Sequence, residues 1–135
     1  MNTDTLRKRL AFWFTVHFAA DVLIAVPLMV APRAVLAALG WEVIDPVASR
    51  LVAAALFGIG IESLVGRRAD FPVFRAMLNL KIIWSSAAIL GFVLSLIEGT
   101  HGRPWSVWVF LAVFVAFNAL WVFYSRRVAD ARHAA

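Results

Sequence analysis

The stretch Asn79-Leu80-Lys81-Ile82-Ile83-Trp84-Ser85-Ser86 sets a lysine inside an apolar run that extends from about Val73 to Ile97. As a helix rising about 1.5 Å per residue, that run is long enough to cross the ~30 Å hydrocarbon core of a bilayer. An ionisable side chain at such a depth is either functional or paired with another charge. The reading of the whole chain turns on whether the other segments supply a membrane and partners for Lys81.

The composition supplies the membrane. Of the 135 residues 63% are hydrophobic and only 16% charged, and the charges sit in clumps between long apolar runs. A soluble domain with this make-up would lack the polar surface to cover its core. The net charge of +5 does not point to nucleic acid, because the basic residues flank the apolar runs in small groups and do not gather on one face. With no cysteine, disulfides, thiol redox chemistry and thiolate metal sites are excluded. The start, Arg7-Lys8-Arg9 before an apolar run, has the outline of a signal peptide, but the run is long for that role and carries His17 and Asp21.

Four apolar segments have spanning length: residues 10–30, 47–65, 73–97 and 104–124. They predict an all-α integral membrane four-helix bundle, up-down-up-down, in a single domain covering residues 1–135. Pro27 should bend the first helix near its far end. In the loop that follows, Pro32 starts a short helix ending before Gly40, with Trp41 at headgroup level. Asp45-Pro46 supplies a cap and first-turn proline for the second span, and Pro72 and Pro104 stand in the equivalent place before the third and fourth.

Loop charges predict orientation. Arg7, Lys8 and Arg9, then Arg67, Arg68 and Arg75, then Arg126, Arg127 and Arg132 make nine basic residues on one side, against Arg33 and Arg103 on the other. By the positive-inside rule both termini face the cytoplasm, which in a bacterial cell means an inner-membrane protein. Tryptophan agrees: Trp13 and Trp121 with Tyr124 fall near the inner interface, Trp41, Trp105 and Trp108 near the outer, and only Trp84 lies deep.

Lipid gives helices no hydrophobic reason to associate, so contacts are sought at small and polar residues. Ala54 and Gly58 on the second span, and Ala87 and Gly91 on the third, fall at matching depths and form the expected helix-packing stripes. Deeper in, Glu62 lies about 22 Å and Lys81 about 24 Å from the outer ends by the helical rise. His17, Asn79 and Asn118 fall within roughly 5 Å of that level, and Asp21 lies one turn from His17 on the same face. A Lys81–Glu62 ion pair is expected. However, Lys81 stands about 120° around its helix from the Ala87–Gly91 stripe, which makes His17 or Asp21 a competing partner. Arg50 is expected to snorkel to the headgroups, with Asp21 as its alternative partner.

Two readings of this cluster compete: a buried pair that fixes helix register, and a polar pocket or proton relay lined by His17, Asp21, Glu62 and Lys81. One intramembrane histidine cannot bis-ligate haem, and His17 with Asp21 lacks a third metal ligand, so no metal or cofactor is expected. His101 and His133 belong to a loop and a tail. No phosphate loop, nucleophile elbow or HExxH motif is present, so no catalytic residue is assigned.

Pro32-Arg33 and Leu39-Gly40-Trp41, the run Arg50-Leu51-Val52-Ala53-Ala54-Ala55-Leu56-Phe57-Gly58-Ile59-Gly60, and Leu78-Asn79-Leu80-Lys81-Ile82-Ile83-Trp84 carry a resemblance. Across roughly three quarters of its length the chain resembles the small bacterial membrane proteins grouped with the DoxX-like families. The resemblance implies a four-helix bundle, in a group some of whose members are associated with membrane oxidoreductase systems. It carries over no catalytic set, and the charged trio Asp21, Glu62 and Lys81 is not implied by it.

The leading expectation is a non-enzymatic membrane protein that binds a small hydrophobic or amphiphilic ligand, or a partner membrane protein. A small transporter or proton-coupled carrier working as a homodimer is the alternative, and an intramembrane enzyme on a lipidic or quinone-like substrate the third. The partners expected are the lipid bilayer and a membrane protein or a second copy of the chain, and nucleic acid is not expected.

Overall fold

The computed structural model describes residues 2–99 and 104–133; His101 and Arg103 lie outside the described residues, as do the side chains of Arg132 and His133. The described residues form five helices: α1 (Thr3–Val30), α2 (Pro32–Ala38), α3 (Pro46–Gly66), α4 (Phe71–Glu98) and α5 (Trp105–His133). Among the described residues there is no strand, and four of the helices are long and apolar enough to cross a membrane.

Local chemistry sets the helix ends. Asp45 Oδ1 accepts from the Val47 and Ala48 amides at 2.8 and 3.2 Å, with Pro46 in the first turn of α3. Asp70 and Pro72 open α4, and Gly99 closes it at φ 66°, a left-handed position that glycine adopts without strain. Two helices outrun their apolar segments: α1 starts at Thr3 instead of residue 10, and α5 runs to His133 instead of residue 124. Asn2 caps α1 by accepting from the Asp4 amide at 3.2 Å, and the charged residues that follow are sound helix formers. Apolar length marks only the part of a helix suited to lipid.

The helices pack in two antiparallel pairs. In the first, Asp21 of α1 meets Gly60 of α3, and Arg50 Nε donates to Met29 O at 3.2 Å. Arg50 thus caps the carbonyl end of α1, where a cation is favoured, and does not pair with Asp21. In the second pair Asn118 of α5 meets Ser85 and Ser86 of α4, and Phe92 of α4 stacks on Phe110 of α5.

The two pairs meet mainly in one half of the molecule, which carries the start of α1 and the α3–α4 turn and is called the near half below. Its core combines Leu6, Leu10 and Phe14 of α1 with Phe74, Met77 and Leu78 of α4 and Trp121, Tyr124 and Val128 of α5. Trp121 and Tyr124, expected at an interface, are therefore core residues, with exposures of 0% and 3%. At the surface of this half Arg7 bridges to Asp70 at 3.3 Å and lies over the Phe71 ring.

The far half is parted. There α1 and α3 stay closely packed through Ala25, Leu28, Ala53 and Leu56. On α4, by contrast, no residue beyond Ser85 is buried, and on α5 none between Val107 and Trp121. The expected stripes do not meet. Ala54, Gly58, Ala87 and Gly91 are all exposed, and a Cβ added at Gly58 or Gly91 would touch nothing within 4 Å. The buried stripe of α3 lies elsewhere, with Ala53, Leu56 and Gly60 against α1 and Ser63 against Lys81. With both faces apolar, steric fit decides the rotation, and Gly60 admits the Asp21 side chain where a Cβ would come within 2.9 Å of it. The pairs rejoin at the outermost turn: Trp41 Nε1 donates to Ser106 Oγ at 3.0 Å, and the Ser106 hydroxyl donates to Leu39 O at 2.7 Å.

Candidate functional site

Lys81 lies where the two pairs close on one another, and its exposure is 2%. Its Nζ stands 3.2 Å from His17 Nδ1 and donates to Ser63 Oγ, so one side chain joins α4 to both α1 and α3. Ser63 suits the role because its hydroxyl donates back to Ile59 O at 2.6 Å, which leaves the oxygen free to accept. The ammonium also faces the Phe14 and Trp121 rings, 5.2 and 5.3 Å from their centroids, where the π-electrons attract a desolvated cation.

His17 is held edge-on to Phe117 at 4.9 Å and to Trp121 at 5.2 Å, while Phe117 and Trp121 stack at an interplanar angle of 15°. One turn along α1, Asp21 Oδ2 approaches His17 Nδ1 to 2.9 Å. That oxygen is buried and, among the described residues, has no hydrogen-bond partner. Asp21 itself is 6% exposed, packed against Gly60. Carboxylate, imidazole and ammonium thus follow one another across the α1–α4 contact. The opposite charges at the two ends offset part of the cost of burying each.

A second polar layer lies one turn along α4. Ser85 donates to Lys81 O at 2.7 Å, and Asn118 Nδ2 donates to Ser85 Oγ and Ser86 Oγ at 2.8 and 2.9 Å. Asn118 therefore ties α5 to α4 beside the centre and does not touch Lys81.

Of the expected cluster, His17, Asp21 and Lys81 come together and Asn118 stands next to them. Two residues do not belong. Glu62 is exposed and Asn79 is exposed, each on the outer side of its helix. The Lys81–Glu62 pair is not formed: at 100° per residue the step from Ser63 to Glu62 turns the carboxylate away, and Lys81 meets Ser63 instead. The competing partner on α1, His17, is the one Lys81 uses. Ser63, Phe14, Phe117 and Trp121 also belong to the centre, and none carries a charge that marks it in the sequence. The available signal was spacing: Ser63 continues the small-residue row of Ala53 and Gly60, and Trp121 lies three residues from Asn118.

Fold and site together define an all-helical chain with four helices of spanning length, joined at a buried lysine–histidine–aspartate centre. No protein-family model, curated protein or solved structure matches the chain.

Proposed function

We propose that this chain is an integral inner-membrane protein of the up-down-up-down four-helix kind, both termini cytoplasmic, acting without catalysis. In this reading it receives a small hydrophobic or amphiphilic ligand between its two helix pairs. The observation that carries the reading is the parted far half. There Gly58 of α3 and Gly91 of α4 have open space beside them, while the Lys81 centre closes one end and the Trp41–Ser106 contact the other. An opening between helices at membrane depth admits a molecule from the bilayer. The DoxX-like resemblance fits the same architecture. The closed Lys81 centre then serves as the hinge that fixes how far the pairs part. The nine basic residues flanking one set of helix ends support the orientation.

Because the chain has no cysteine, single cysteines report cleanly. Gly58→Cys and Gly91→Cys proteins in lipid nanodiscs are expected to crosslink to a photoactivatable single-chain amphiphile far more than Leu23→Cys, which lies on the exposed side of α1. Equal crosslinking at all three positions would mean that the opening is ordinary lipid-facing surface.

A proton-coupled carrier is the second reading, favoured by the unpartnered Asp21 oxygen beside His17. Vesicles containing the protein should then show ligand-dependent proton uptake that Asp21→Asn abolishes.

A further inference from the structure

His17 Nδ1 has two neighbours, Asp21 Oδ2 at 2.9 Å and Lys81 Nζ at 3.2 Å. It is one atom with either one lone pair or one proton. With the lone pair it accepts from the Lys81 ammonium and faces a carboxylate it cannot satisfy. With a proton it donates to Asp21 and presents that proton to an ammonium. The two neighbours make opposite demands, and among the described residues Asp21 Oδ2 has no other polar neighbour to turn to.

We propose that His17 Nδ1 is the binding site of one exchangeable proton, and that this proton decides whether His17 holds α4 or its own helix. One proton is taken from solution onto Nδ1, no other bond to hydrogen breaks, and the charge of the centre rises by one. Nδ1–H then donates to Asp21 Oδ2, the Lys81–His17 hydrogen bond is lost, and Lys81 stays on Ser63 and over the Phe14 and Trp121 rings. Release of the proton restores the α1–α4 link. Among the described residues the groups in contact with His17 are Asp21 on α1, Lys81 on α4 and uncharged Phe117 and Trp121 on α5; on α3, Ser63 holds Lys81 and Glu62 is exposed. Protonation therefore trades the α1–α4 link for a bond within α1 and leaves Lys81–Ser63 as the tie of this lysine across the two helix pairs. The inference concerns the buried centre alone and stands whether or not the opening between the pairs holds a ligand.

The test uses the full chain in nanodiscs with His101→Gln and His133→Gln, so that His17 is the one histidine left. Nitrogen NMR of the labelled ring is followed between about pH 5 and 9, the range in which an imidazole commonly titrates. The expected result is a change from an Nε2–H tautomer with bare Nδ1 at high pH to a doubly protonated ring at low pH, accompanied by a change in Trp121 fluorescence. Asp21→Asn should shift the midpoint by more than tenfold in proton concentration, and Glu62→Gln should not. A single tautomer across the range in the folded protein would overturn the proposal, as would a midpoint unmoved by Asp21→Asn. If Asp21→Asn does not fold, Asp21→Glu is read instead: a shifted midpoint supports the proposal and an unshifted one overturns it.

Discussion

The near and far halves of the molecule are built from the same four helices, yet one half is closed and the other parted. In the near half every helix contributes a side chain that reaches across: Phe14 and His17, Ser63, Lys81, Trp121. In the far half α1 and α3 remain locked through small residues, while α4 and α5 turn leucines, valines and glycines outward. Apolar area alone therefore does not bring these helices together. Lipid competes equally well for such surfaces, and closure follows where polar groups need one another and where large rings fill the gap.

The strongest way to break the contrast is at its centre. Lys81→Met leaves Asp21 buried without an opposite charge and is expected to cost about 3–5 kcal/mol in reversible unfolding of the detergent-solubilised protein. Adding Asp21→Asn should return most of that loss, whereas Glu62→Gln should neither destabilise alone nor rescue. Rescue by Glu62→Gln would place the charge balance on the wrong helix here.

Next comes the ring that covers the centre. Trp121→Ala is expected to cost about 3 kcal/mol or more, since it empties a fully buried site. Trp108→Ala, at an exposed position, should leave the unfolding midpoint where it was. Similar losses at both would mean that the halves are equally packed.

Two glycines of one helix sharpen the comparison. Gly60→Ala forces a Cβ to within 2.9 Å of Asp21 and should cost about 1–3 kcal/mol. Gly58→Ala, two residues away in open space, should be neutral or stabilise by up to about 1 kcal/mol through helix propensity. Equal effects would show that Gly58 also meets a neighbour.

The smallest effect concerns the outermost contact. Trp41→Phe removes the hydrogen bond to Ser106, and a loss of about 1 kcal/mol is expected. Hydrogen exchange should quicken at the start of α5 and remain unchanged around Lys81. Faster exchange at both would join the two ends into one cooperative unit.

Much of the plan is legible in the residues one at a time. Length and hydropathy mark four helices of spanning size, proline, aspartate and glycine mark their ends, and the 1.5 Å rise puts His17, Glu62, Asn79, Lys81 and Asn118 near one level with Asp21 one turn away. These are local properties, carried by each segment whatever its neighbours. Rotation and pairing are not local. The spans are apolar on all sides, so no hydrophobic face tells which way Ala54 or Ala53 turns, or whether Lys81 meets Glu62 or Ser63. One step of 100° separates each right answer from the wrong one. Only the packed structure decided them, because close fit at Gly60, an acceptor at Ser63 and the volume of Trp121 exist as constraints only once two helices are in contact.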